Sequence, residues 1–215
     1  LLASSAASDV YKRQAFTHCH DLETVICYAP LENTNKGLFE ECKGLKTVIF
    51  VNGVGEMDNY LFNYCKNLKT VWWKGKVNRI GVQCFGATGL EQFCVNAKNI
   101  DSYAFIGCED LKEIHIRSGV ENLNMTAFAM LTGIETICLE GIDPDVMEAD
   151  WVNLQNSTVT IMVPEDTTDE QLQLVTQKFA SAYIIVNKSQ VQKDSCQLSD
   201  DPMPDIDGLV GAYGI

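Results

Sequence analysis

No stretch of about eighteen consecutive apolar residues occurs anywhere in the sequence, so no segment reads as a membrane-crossing helix and direct membrane insertion is not expected. Basic residues are scarce: 16 Lys and Arg stand against 29 Asp and Glu, and they form no stripe. A phosphate backbone is gripped by clustered Lys and Arg, so nucleic acid is not an expected partner. The acidity is local, since residues 15–139 carry 14 acids against 11 bases while residues 140–170 carry nine acids and no base. Also missing are C-x-x-C, G-x-G-x-x-G, a P-loop, H-E-x-x-H and G-x-S-x-G. With them go the local signatures of redox, nucleotide, zinc-protease and hydrolase chemistry. The adjacent acids Glu40-Glu41 and Asp200-Asp201 read as solvated charge. The expectation is a protein that is not an enzyme and needs no cofactor.

Cysteine is neither rare nor abundant. Nine in 215 residues fall short of a disulfide scaffold, and an odd number cannot pair completely within one chain. Four of them, Cys19, Cys42, Cys65 and Cys108, belong instead to a repeat. Ala15-Phe16-x-x-Cys19-x-x-Leu22-x-x-Val25 recurs as Leu38-Phe39-x-x-Cys42-x-x-Leu45-x-x-Val48 and as Leu61-Phe62-x-x-Cys65-x-x-Leu68-x-x-Val71. A fourth copy with Cys84-Phe85, Leu90 and Phe93 is one residue short between Phe and Leu, and has Thr88 in place of the cysteine. The fifth has Ala104-Phe105, Cys108, Leu111 and Ile114; the sixth has Ala127-Phe128, Leu131, Ile134 and Ile137. Phe therefore recurs at 16, 39, 62, 85, 105 and 128, and a degenerate seventh copy runs from Trp151 to Val163.

Alternating segments such as Val48-x-Phe50 and Ile114-x-Ile116 have the period of a strand, and an apolar pair such as Val77 and Ile80 precedes each Phe. One coil is thus a short strand, a helical turn at Phe-x-x-Cys and a main strand. A coil of this length cannot close a core alone, so its Phe, Leu and Val points must stack on those of the next coil. Strands about 4.8 Å apart make seven coils a curved rod roughly 30 Å long. The pattern resembles the BspA-type leucine-rich repeat over residues 15–163. The resemblance implies the fold class, a repeat solenoid formed as a leucine-rich-repeat stack of short parallel β-strands with short helical turns. It also implies an extracellular or cell-surface location and a binding or adhesion module for a protein or glycan. A structural spacer in a larger surface protein, or an accessory region of an enzyme, are the alternatives.

The flanks read differently. Residues 1–14 begin without Met, and Asp9-Val10-Tyr11-Lys12-Arg13-Gln14 resembles a translated sequencing adaptor, so they are set aside as an artefact. The N-terminal end of the rod reads as cut, since no polar cap precedes Phe16. Residues 164–186 are expected to form a capping helix over 169–178, with Leu172, Val175 and Phe179 on one face, and a last strand from Tyr183 to Val186. Residues 187–215 read as an acidic tail or linker. Asn124-Met125-Thr126, Asn156-Ser157-Thr158 and Asn187-Lys188-Ser189 match a glycosylation sequon, which matters only in a secreted eukaryotic protein.

Three groups of residues are candidates for function. The cysteine column is read as buried packing by free thiols, because structural zinc needs ligands that converge and a ladder spreads them. His18 and His20 flank an inward Cys19 and are read as solvated. On the main strands, period-2 alternation turns Ile26, Tyr28, Ile49, Val51, Trp72 and Lys74 outward, making an apolar and aromatic face in the first half of the array. Such a face is the expected ligand surface. In the second half the same alternation exposes Glu113, Arg117 and Glu140, and sets Cys94, His115 and Cys138 side by side toward solvent. A thiol–imidazole–thiol row of this kind could bind zinc or activate a thiolate, but its outer two members stand two strand spacings apart, about 9.6 Å, and no metal site is expected.

Overall fold

The computed structural model describes residues 15–124, 126–140, 158–178, 183–188 and 204–205. Residues 1–14, the first part of the seventh copy from Trp151, Phe179, Cys196 and most of the acidic tail lie outside the described residues.

Each coil contributes a main strand and a second, shorter strand. In chain order they are β1 (Thr24–Cys27), β2 (Leu31–Asn33), β3 (Thr47–Phe50), β4 (Val54–Met57), β5 (Thr70–Trp73), β6 (Val77–Ile80), β7 (Gln92–Val95), β8 (Ala97–Ile100), β9 (Glu113–Ile116), β10 (Asn122–Leu123), β11 (Thr136–Leu139) and β12 (Thr158–Val163). After them come the helix α1 (Asp169–Lys178) and β13 (Tyr183–Lys188). All pairings are parallel. The short strands form one continuous sheet in the order β10-β8-β6-β4-β2, while the main strands form two, β1-β3-β5 and β13-β12-β11-β9-β7. The break between β5 and β7 falls at the fourth copy, whose missing residue advances the chain into its strand early. Large rings fill the seam: Trp73 lies 5.8 Å from Phe93, which in turn lies 4.7 Å from Phe85 and 5.1 Å from Phe105.

The core is the stack of columns. Phe16, Phe39, Phe62, Phe85, Phe105 and Phe128 form an unbroken ladder of stacked rings at centroid separations of 5.2–5.8 Å. Leu45, Leu68, Leu90 and Leu111 are buried beside them, as are Val48, Val71, Ile114 and Ile137. At the C-terminal end, Val175 of α1 is buried in the same cluster and Leu172 packs against it. The start of α1 is secured locally. Thr168 Oγ1 accepts the Gln171 N–H while Gln171 Oε1 accepts the Thr168 N–H, a reciprocal capping box, with Asp169 and Glu170 in the first turn.

The segment around each Phe is tighter than an α-helical turn. The N–H groups of Leu38, Glu40 and Cys42 bond locally, three residues back, to Asn35, Gly37 and Phe39. The intervening N–H groups of Gly37, Phe39 and Glu41 instead cross to Asn59, Leu61 and Asn63 of the next coil. A left-handed residue stands two positions after each Phe: His18, Glu41, Tyr64, Ala87, Gly107 and Met130 all have φ between 50° and 67°. Only one of these is glycine. L-residues are disfavoured in that region, and at His18, Glu41, Tyr64 and Ala87 the N–H bond to the next coil offsets the cost.

The cysteine column has a polar duty besides packing. Cys42 Sγ donates to the Phe16 carbonyl of the preceding coil at 2.8 Å, and Cys65 donates to Phe39 at 3.0 Å. Cys108 donates likewise to Phe85 at 3.0 Å, whereas Thr88, which replaces the cysteine in the fourth coil, turns its hydroxyl to the Phe85 carbonyl of its own coil at 3.0 Å. These thiols are free. Burial pushes the Cys42 and Cys108 thiols up to about 11 and Cys65 well above the ordinary range.

One further column alternates. At the position before the Leu, successive coils carry Asp21, Gly44, Asn67, Gly89, Asp110 and, before Ile134, Gly133. A Cβ at Gly44 or Gly89 would sit 2.1 Å from the carbonyl oxygen of His20 or Lys66, so no other residue fits there without moving the backbone.

Truncating Phe62 to Ala in the middle of the ladder is expected to cost about 3–5 kcal/mol in denaturant unfolding. A loss below about 1 kcal/mol would contradict the shared core. Under native conditions Cys42, Cys65 and Cys108 are expected to resist alkylation until the chain unfolds, since the reactive thiolate is suppressed by burial. Fast labelling of Cys65 in folded protein, read by mass mapping, would contradict the column's packing.

Candidate functional site

The outward face of the main strands is where the sequence places its candidate site residues. In the first sheet the register sets Thr24, Thr47 and Thr70 in one row and Ile26, Ile49 and Trp72 in the next. The second of these rows does not face solvent as expected. Ile49 is 0% exposed and Trp72 4%, and together they form a small apolar cluster separate from the main core, with Ile26 and Val51 half-buried against it. These side chains do lie on the opposite face from the core, but a face carrying an indole between β-branched neighbours is not left open. What remains accessible is the row just past the strand ends. Tyr28 is 58% exposed, Val51 half-buried and Lys74 exposed.

In the second sheet the register aligns Cys94, His115 and Cys138 in one row and extends it to Met162. Two parts of the expectation fail. All three residues are buried, at 7%, 2% and 1%, so the row is not solvent-facing. Cys94 is disulfide-bonded, so it has no thiolate to offer as a ligand or a nucleophile. In its place stands Glu113, which shares a face with His115 two residues along β9. Glu113 Oε1 lies 2.7 Å from His115 Nε2 and 3.9 Å from Cys138 Sγ. Glu140 Oε1 lies 3.9 Å from His115 Nδ1, and Arg117 Nε donates to Glu140 Oε2 at 3.2 Å. Cys138 Sγ is also 3.7 Å from Met162 Sδ.

The electrostatics of this cluster are unusual for the array. Burial opposes a charged imidazole at His115, but the neighbouring Cys138, Glu140 and Glu113 outweigh it and raise its pKa to about 10. The Glu140 carboxyl is held below its ordinary value chiefly by His115, against burial, with Arg117 adding to the effect. Glu113, Arg117 and Glu140 are legible as outward residues by alternation. Their convergence on His115 is not, because it depends on side-chain reach across strands.

The remaining candidates are ordinary surface. His18 and His20 approach each other edge to face at 6.2 Å, and both lie over Glu41, one by its carboxylate and one by its carbonyl. On the short-strand side, a polar cleft of about 300 Å³ is bordered by Asn33, Asn35, Lys36, Glu56, Asp58 and Arg79. Its guanidinium is already committed to Asp101 at 2.7 Å and to Asn59 at 2.7 Å. No helix among the described residues is long and apolar enough to cross a membrane.

Comparison with known proteins adds the following. The profile of the BspA type Leucine rich repeat region matches residues 9–98 and 93–146, with six copies. No curated protein matches the chain in sequence. Among solved structures, the pneumococcal vaccine antigen PcpA is similar over 78% of this chain and 42% of its own, at 17% identity and a TM-score of 0.67. A leucine-rich repeat protein from Bacteroides ovatus is similar over 76% of this chain and 39% of its own, at 17% identity and a TM-score of 0.48. The chain thus spans less than half the length of either.

His115 generates a pH prediction. Its folded pKa of about 10 exceeds the unfolded value of 6.5, so its contribution to stability is complete below pH 6.5 and is lost as pH rises toward 10. In urea titrations with chelator present, the stability difference between wild type and His115→Gln is expected to shrink steadily from pH 6 to pH 10. A difference that stays constant would show that His115 titrates normally.

Proposed function

Because this chain belongs to the BspA-type leucine-rich-repeat family, we propose that it works as a non-catalytic binding or adhesion module at a cell surface, recognising a protein or a glycan through its repeat surface. The observation that carries this reading is the in-register stacking of the coils. Parallel pairing aligns β1, β3 and β5 residue for residue, Thr24 with Thr47 with Thr70 and onward. Within each of the two main-strand sheets every outward position becomes a row with the strand spacing of about 4.8 Å, on a scaffold whose core is continuous. A rigid, extended display of this kind suits recognition of a partner of comparable length.

The proposed contact row is Tyr28, Val51 and Lys74, flanked by Ile26 and seated on the packed pair Ile49 and Trp72. Tyrosine is a favoured interface anchor because it offers a large apolar ring with a polar tip at low entropic cost. Further along, the equivalent row changes character to Asn96, Arg117 and Glu140. It therefore presents an apolar, aromatic half and a charged half to one partner.

The double variant Tyr28→Ala/Lys74→Ala is expected to unfold like wild type, yet to bind about tenfold or more weakly to whichever ligand glycan arrays and panels of purified extracellular proteins identify. Trp72→Ala, in contrast, should lose stability on the scale of a buried aromatic, about 3–5 kcal/mol. Equal binding by wild type and the double variant would move the contact surface elsewhere. A folded array that binds neither glycans nor proteins would favour a spacer.

A further inference from the structure

Three side chains of different ligand chemistry converge on the outward face of β9 and β11, and we propose that Glu113, His115 and Cys138 form a zinc site. Their ligand atoms all lie within 4.8 Å of one another. A ladder of equivalent residues spreads its side chains along the rod. This set instead takes two from one strand, Glu113 and His115, and one from the neighbouring strand directly opposite His115. The result is a triangle. Tetrahedral zinc with bonds of about 2.0–2.3 Å spaces its ligand atoms about 3.3–3.8 Å apart. The separations of 2.7 Å from Glu113 to His115 and 3.9 Å from Glu113 to Cys138 bracket that range. Movements of about 1 Å or less in side chains carried on rigid strands would complete the geometry.

The charges agree with a divalent ion. A carboxylate and a thiolate neutralise Zn²⁺, leaving a buried site without net charge, which is the condition a low-dielectric interior demands. The surroundings supply a second layer as well. With Nε2 of His115 turned toward Glu113, its Nδ1 faces Glu140 at 3.9 Å, and Glu140 is held in turn by Arg117 at 3.2 Å. A ligating histidine characteristically gives its other ring N–H to a carboxylate, which fixes its orientation and raises its basicity. The Glu113 side chain is 29% exposed and that of His115 3%, so the ion reaches the site from the Glu113 side. The thioether of Met162, 3.7 Å from Cys138 Sγ, is the one feature that suits copper(I) better. Carboxylate with imidazole decides for zinc.

The test uses the full chain, stripped with chelator and loaded with zinc or cobalt(II). Expected results are stoichiometric zinc surviving gel filtration, a rise in thermal midpoint, and a thiolate-to-cobalt charge-transfer band that is lost in Cys138→Ser. Glu113→Gln and Glu140→Gln should each weaken zinc by about 10–100-fold. The substitution at the partly exposed Glu113, with its fold checked by circular dichroism, decides the matter even if Cys138→Ser misfolds. The assignment is overturned by absence of stoichiometric metal, by a cobalt spectrum without the thiolate band, or by zinc that persists in Glu113→Gln and disappears in His20→Ala. A preference for copper(I) that depends on Met162, read with Met162→Leu, would also overturn it. None of these readouts depends on a binding partner, so the site stands or falls separately from the adhesion reading.

Discussion

Everything in this array depends on the N–H groups that leave one coil to bond with the next. In the strands such crossing is ordinary sheet pairing. Around each Phe it is not, because every second N–H is withheld from the local turn and aimed at the following coil. That single requirement excludes an α-helix there, and it places left-handed residues such as Tyr64 and Ala87 in a region that side chains ordinarily avoid. It also leaves the Phe16, Phe39 and Phe85 carbonyls open toward the following coil, where the next cysteine thiol reaches them. The Phe ladder and the cysteine column are therefore two consequences of one backbone arrangement.

Much of this is legible in the sequence, for a definite reason. A repeat multiplies each weak signal by the number of coils, so Phe, Leu and Val fall into columns and Cys94, His115 and Cys138 fall into one row from periodicity alone. Alternation says which face of a strand a residue occupies. It does not say whether that face is covered, and so Ile49, Trp72, His115 and Cys138 are buried where alternation points to solvent. Nor does the type of residue reveal a positive φ at Glu41 or Tyr64, since those angles are imposed by the adjoining coil. The state of Cys94 and the reach of Glu113 across to Cys138 are properties of side chains in three dimensions. No periodicity encodes them.

The outer face divides its labour along the rod. In the first half, β-branched and aromatic side chains make a shallow apolar cluster with an accessible margin at Tyr28 and Lys74. In the second half, the same positions hold acids, a guanidinium, an imidazole and sulfur. Around the buried His115 the half-buried Glu113, Arg117 and Glu140 form a network in which each charge finds an opposite. A partner lying along the rod would meet two chemically different surfaces on one continuous backbone.

The alternation of Asx and Gly before the Leu column makes neighbouring coils unequal. Where Gly44 or Gly89 sits, the previous coil's carbonyl occupies the place of a Cβ; where Asn67 sits, its side-chain amide reaches back to the Lys43 carbonyl instead. Adjacent coils are therefore not interchangeable, although they share a consensus. In-frame loss of a single coil would set like against like at this column, two glycines or two Asx residues. Loss or gain of two would leave the pattern whole. The unit in which this column repeats is therefore a couplet of coils.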